Sequence, residues 1–310
     1  METTRESERG PVMVANTGQY TVVVGCDGSW DSFRAVDLAA REALGHGCRL
    51  TVLVVPRDDP PGSDEPLSGY SAAEDRGRSR AQVTAHLARE RALAAAPDLG
   101  VDIVVDAVDG PAVEALAQRA MMLVLGGRGR GGQRALSLSS PSDELVRHLR
   151  VPILIPGVRS PVPSTVPHAP HVVVGVDGRG GEEELISIAA VEAAARGCCL
   201  VIVRVVRPDP AGGGLARPHI WDETWMAVHQ ADTAASVSCR VVVTVGDPVT
   251  ALTDECGPED LLVVGTRGQG RLAGLVPGSV ARGVLDVGTR DVMVVPPAAR
   301  DIATRHPSVQ

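Results

Sequence analysis

The chain carries one unit twice. VVVGCDG at residues 22–28 returns as VVVGVDG at residues 172–178, identical at six of seven positions and displaced by 150 residues. Two later landmarks keep the same order: LVLGGRGRG from Leu123 matches LVVGTRGQG from Leu262, and VPILIP from Val151 matches DVMVVP from Asp291. Their displacements fall to 139 and 140 residues, so the second copy is 11 residues shorter between the first two landmarks. A fold for this chain must be one that a single repeat can adopt and that can be built twice. Between the copies, GVRSPVPSTVPHAP has the proline-rich, small polar composition of an extended linker. The expected division is domain one at 18–157, linker at 158–169 and domain two at 170–298.

Each copy alternates short β-branched runs with helix-period stretches, the pattern of a parallel sheet built from βαβ crossovers. Strands are expected near 20–26, 49–55, 101–107, 121–125 and 151–155, then near 171–176, 199–206, 237–244, 260–264 and 291–295. The runs are apolar throughout rather than alternating, as strands covered on both faces require. The fold class is therefore α/β, two tandem doubly wound domains, each with a five-stranded parallel sheet and helices on both faces. After the first strand, Phe33, Val36, Ala40 and Leu44 recur at helical spacing and predict a core-facing stripe. Second helices are expected near 71–96 and 220–233, the latter shorter. Right-handed crossovers put every β-to-α loop at one edge of the sheet, where a ligand site belongs.

Composition removes whole classes of chemistry. All 30 basic residues are arginine, so no lysine exists for a P-loop, a Schiff base or a Ser–Lys dyad. The net charge of −8 argues against nucleic acid as a partner. Cys26, Cys48, Cys198, Cys199, Cys239 and Cys256 form no Cys-x-x-Cys pair and read as buried small hydrophobes in a reducing cytosol. The N-terminal METTRESERG has no apolar core, and no run approaches a membrane span, so a cytoplasmic protein without membrane contact is expected.

Chemistry concentrates in a glycine-rich loop. After the fourth strand of the second copy comes Gly265-x2-Gly268-x9-Gly278-Ser279, with Val280 opening a helix whose apolar face is Val280, Val284 and Leu285. Missing Cβ atoms let backbone N–H groups approach an anion, and Ser279 can cap the helix or bond a phosphate oxygen.

This loop, the Asp that ends each first strand (Asp27, Asp177), the Gly-Asp-Pro at 246–248 and the hydrophobic closing strand resemble the universal stress proteins in their tandem form, over nearly all of residues 18–297. The resemblance implies strand order 3-2-1-4-5, ATP at the strand ends and dimers formed through the last strand. In the second copy it implies that Asp177 meets the adenosine end, that Gly175 and Val176 line the base pocket, and that Val205 offers backbone bonds to adenine. Val264, Gly265, Arg267, Gly268, Gly278, Ser279 and Val280 would wrap ribose and phosphates. The matching positions in the first copy are Gly25, Cys26, Asp27, Val55, Leu125, Gly126, Arg128, Gly129, Ser139 and Ser140. That copy departs at Ser139, where the family has its third glycine, and at Pro141, which removes an N–H donor. Magnesium would arrive with the ATP phosphates.

Plainer readings stand beside this one. Asp27 and Asp177 also suit simple Asp-Gly turns. Gly127-x-Gly129-x-x-Gly132 fits a dinucleotide fingerprint but follows the wrong strand. Glu182, Glu183 and Glu184 read as first-turn residues favoured by the helix dipole, and Trp221 and Trp225, four apart, as a shared apolar face. The function expected is ATP-binding stress regulation without enzymatic activity, in a homodimer or an intrachain pseudo-dimer closed through Val151–Ile155 and Val292–Val295. A slow ATPase, or a nucleotide-free scaffold for dimerisation or partner binding, is the alternative.

Overall fold

In the computed structural model, residues 21–54, 71–107, 120–127, 151–158, 169–178, 180–206, 219–231, 237–266, 278–296 and 299 are described. The β-branched runs become strands: β1 Thr21–Cys26, β2 Arg49–Val54, β3 Ile103–Ala107, β4 Met122–Val124 and β5 Ile153–Ile155 in the first half. The second half supplies β6 His171–Val176, β7 Cys199–Val206, β8 Cys239–Val245, β9 Leu261–Gly265 and β10 Asp291–Val295. The helices are α1 Trp30–Gly45, α2 Ser71–Ala95, α3 Glu182–Ala195, α4 Ile220–Gln230, α5 Pro248–Glu255 and α6 Ser279–Val287. A 3-10 turn at Pro97–Asp102 takes the residues expected to begin the third strand.

The strands form one ten-stranded sheet in the order β3-β2-β1-β4-β5-β10-β9-β6-β7-β8. Each half reads 3-2-1-4-5 with parallel neighbours, and the halves meet where β5 and β10 pair antiparallel: Ile155 opposite Val292, Leu154 opposite Met293, Ile153 opposite Val294. Two expected closing strands are thus each other's partners, and neither leaves an apolar edge open.

Burial on both faces explains the unbroken apolar runs. Val22, Val23 and Val24 are all fully buried, Val22 and Val24 packing with α1 and α2 while Val23 packs on the opposite face. In the second half α3 and α4 cover one face, through Ile186, Ala190 and Val228. Helices α5 and α6 cover the other, through Leu252, Ala281 and Val284. Each fully buried Val, Leu or Ile contributes about 1.5–3 kcal/mol, so a core nearly free of aromatics closes on aliphatic residues and alanine. Ser29 caps α1 by accepting from the N–H of Ser32 at 3.2 Å. The Gly-Asp-Pro motif is a helix start: Asp247 accepts from the N–H of Thr250 at 3.0 Å, and Pro248 opens α5.

Two helix faces differ from expectation. Leu44 is 42% exposed, because α1 turns Ala35, Val36, Ala39, Ala40 and Ala43 inward and leaves Leu44 outside that stripe. Trp221 and Trp225 share a face of α4, but it is the outer one, since Ile220, Thr224, Ala227 and Val228 take the core. The cysteines divide as well: Cys26, Cys48 and Cys256 are buried, whereas Cys199 is exposed at the start of β7.

Candidate functional site

Parallel pairing brings the chemistry-bearing residues of each half to one edge of the sheet. In the second half β6 and β9 run in register, with Gly175 opposite Val264. Just beyond that pair β6 ends at Val176 and Asp177 follows, while β9 ends at Gly265. Gly278 and Ser279 begin α6, so the chain between Gly265 and Gly278 leads from a strand end to a helix N-terminus. Gly278, not Ser279, occupies the N-cap position, and as a glycine it has no side chain with which to cap the first amides of α6. Ser279 is the first helical residue and is exposed, so of its two expected roles the helix cap is corrected to Gly278. Uncapped amides at the positive end of a helix are anion donors.

The residues beneath this edge are backbone donors and packing groups. Val176 and Val264 bury their side chains in opposite cores, leaving only main-chain atoms for a ligand. Val205 lies one residue inside the end of β7, opposite Thr244. Gly175 is needed for packing, since a Cβ there would lie 2.9 Å from Leu252 Cδ1. Val280 is half-buried against the same core as Val264. Arg267 and Gly268 lie outside the described residues.

The first half repeats the arrangement with different detail. Val24 pairs with Val124, after which β1 ends at Cys26 and gives way to Asp27, while Leu125 and Gly126 follow β4. Cys26 is buried with its Sγ 3.6 Å from Ser32 Oγ. Gly25 packs against Leu125, and Gly126 runs so close to α1 that a Cβ would lie 2.8 Å from the Ser32 nitrogen. Val55, Arg128, Gly129, Ser139 and Ser140 lie outside the described residues.

The two aspartates are set differently. Asp27 Oδ1 accepts from the N–H of Ser29 at 2.9 Å, so this carboxylate ties down its own Asp-Gly turn. Asp177 is exposed, and Glu182 ties its turn: its Oε1 accepts from the N–H of Asp177 at 2.8 Å and from the N–H of Gly178. Glu182 is therefore buried and holds a loop, beyond the helix-dipole role expected of it. Gly28 and Gly178 both have positive φ, +76° and +72°, where a side chain is strained.

Sequence reasoning missed Arg204. It is buried in β7, donates to Glu223 Oε2 at 3.0 Å and to Thr224 Oγ1 at 3.4 Å, and lays its guanidinium against Gly178. The one signal was a lone charge inside the apolar run CLVIVRVV. The position 150 residues earlier is Val54, so the matching strand position of the first half carries an apolar side chain instead of a cation.

Comparison with known proteins agrees with this architecture. The model of the Universal stress protein family matches residues 20–156 and again 169–296, and the chain belongs to that family as a tandem of two such domains. Universal stress protein Rv1996 of Mycobacterium tuberculosis is 32% identical over 312 residues, covering 91% of this chain and 96% of its own. A universal stress protein from Archaeoglobus fulgidus superposes with a TM-score of 0.61 at 16% identity, over 90% of this chain and 99% of its own, a likeness of fold. Another solved universal stress protein, in complex with cAMP, is 31% identical over 41% of this chain and 97% of its own, with a TM-score of 0.33. Among the described residues no helix is long and apolar enough to cross a membrane.

Proposed function

We propose that this tandem universal stress protein binds ATP at the carboxyl edge of its second half and acts as a regulatory nucleotide sensor rather than an enzyme. One observation carries the reading: exposed Asp177 follows the end of β6, which pairs with β9 where β9 ends at Gly265, and the chain from there next begins α6 with a glycine, Gly278, at its N-cap. That edge offers a carboxylate for the adenosine end and main-chain amides for phosphate oxygens. Magnesium would come with the phosphates and neutralise them. Asp27 already serves its own turn, and Ser139 replaces a glycine, so the first half is the weaker site.

Acid release of nucleotide from freshly purified protein, followed by calorimetric titration of the stripped protein with ATP and with cAMP, tests the reading. About one ATP per chain, lost in Gly268→Asp and weakened in Asp177→Ala, is expected; ATP recovered intact after hours of incubation would accord with binding without turnover. Preference for cAMP would change the ligand, ADP accumulating in wild type but not in Asp177→Ala would favour the slow ATPase, and no binding of either nucleotide would sink the proposal and leave a nucleotide-free scaffold. Assembly into homodimers, and residence in the cytoplasm, accord with this reading and remain part of the proposal.

A further inference from the structure

Equivalent positions of the two halves meet at one point. Gly45 and Ala195, the last residues of α1 and α3, are 150 positions apart in sequence, and a Cβ on Gly45 would lie 3.1 Å from the Ala195 carbonyl oxygen. One turn earlier stand Glu42 and Glu192, 4% and 3% exposed, and one residue later the C-caps His46 and Arg196. The contacts cross over. His46 Nε2 lies 3.0 Å from Glu192 Oε1, and Arg196 Nη2 donates to Glu42 Oε1. Each helix presents a carboxylate and, at its negative end, a cationic or ionisable side chain; each of the latter reaches the carboxylate of the other helix.

The two arms differ in one respect: guanidinium is permanently charged, and imidazole is not. With Arg196 alone positive and Glu42 ionised, as above neutral pH, two buried carboxylates share one cation, an imbalance that burial penalises. A proton on His46 balances the cluster. We propose that this crossed cluster is a proton-operated clasp between the two halves, closed when His46 is protonated and weakened when it is neutral.

The surroundings favour the protonated form of His46. Burial opposes charge on His46, but the flanking carboxylates Glu192 and Glu42 outweigh both burial and the repulsion of Arg196, and its pKa rises above the ordinary 6.5. Burial, aided by Glu192 and Asp291 and resisted by Arg196 and His46, pushes Glu42 up to about 7. Both groups hold protons more tightly folded than unfolded, so their contribution is complete in acid and is lost as pH rises through neutrality. Glu192 has the opposite sign: burial favours its neutral form, yet His46 and Arg196 hold it below the ordinary carboxylate value, so it stays charged across this window. Nearby Cys48, pushed by burial to about 11, stays a thiol.

Glu42, His46 and Glu192 also place ligand-type atoms within 4.8 Å of one another. Arg196 already bonds Glu42, however, and its Nε lies 3.9 Å from Glu192 Oε2, so the cluster is occupied by its own cation.

The test compares the full chain with His46→Arg, which makes both arms permanent, and with Glu192→Gln, which removes one acceptor. Between pH 6 and pH 8.5 the wild-type melting temperature should fall by roughly 2–4 °C more than that of His46→Arg. Amide exchange at Ile153–Ile155 and Val292–Val294 should be faster in wild type than in His46→Arg at pH 8.5, and alike at pH 6. In NMR titrations the His46 resonance should move above pH 6.5 and drop toward it in Glu192→Gln. Equal pH dependence in wild type and His46→Arg, or a His46 resonance titrating below 6.5, would overturn the proposal. So would a zinc-induced rise in melting temperature at pH 8 that is lost in Glu42→Gln, which would make the cluster a metal site.

Discussion

Glu182 Oε1 accepts the backbone N–H of Asp177 at 2.8 Å, so the carboxylate that opens α3 fixes the main chain of the residue proposed to meet a nucleotide. Replacing Glu182 with Ala removes this bond and the companion bond from Gly178. Bonds to a charged acceptor are worth about 1.5–3 kcal/mol each. Part of that is recovered by water at this edge, so Glu182→Ala is expected to cost roughly 2–3 kcal/mol in urea unfolding. ATP affinity of the second half should weaken with it, while any first-half site should be untouched.

Gly178→Ala should cost more than Gly197→Ala. Both glycines have positive φ, +72° and +63°, and share a strain of about 1–2 kcal/mol for any Cβ. A Cβ at Gly197 meets nothing within 4 Å, whereas one at Gly178 runs into the Arg204 guanidinium. Arg204→Met leaves Glu223 half exposed to water, so the double mutant Gly178→Ala/Arg204→Met should be more stable than the sum of the single changes predicts, as a double-mutant cycle would measure.

Leu154→Ala opens a cavity where the halves join. Leu154 is fully buried opposite fully buried Met293, and large-to-small changes at such sites cost about 2–5 kcal/mol. Unfolding of both halves should move together, because the lost contact belongs to both.

All three tryptophans lie outside the core: Trp30, Trp221 and Trp225 are 70%, 48% and 36% exposed. Native emission should already resemble that of solvated indole, be quenched readily by acrylamide, and shift little on unfolding. Trp221→Ala should change stability by less than about 0.5 kcal/mol.

A thiol reagent should label Cys199 first. Cys256 and Cys48 are buried, with burial pushing their thiols to about 12 and 11, and should react only after unfolding.

The strands were legible because a doubly covered parallel strand needs an unbroken β-branched run, and the resemblance implied an interface through the last strands, of which the intrachain pairing of Ile153–Ile155 with Val292–Val294 was one of the readings. The aspartates that end the first strands were legible for a related reason, since each precedes a glycine in a turn of positive φ, Gly28 at +76° and Gly178 at +72°. Helical spacing, by contrast, gives the interval between apolar residues but not the direction they face, which is why Leu44 was assigned to the core stripe and the shared face of Trp221 and Trp225 proved to be the outer one. Glu182 and Arg204 were invisible as site residues because their roles depend on three-dimensional neighbours. The same holds for Glu42 and Glu192, whose burial depends on a helix from the other half of the chain.

The antiparallel seam between β5 and β10 also bears on how the two halves can diverge. A pair of separate chains joined at such a seam dissociates on dilution and must carry the same residues twice, since one gene writes both. Here the partners are tethered, so their encounter is intramolecular and does not depend on protein concentration. Each half is then free to change alone: Arg204 where the other has Val54, Gly278 where the other has Ser139, Arg196 where the other has His46. Fusion has turned a symmetric contact into one whose two sides can be tuned for separate tasks.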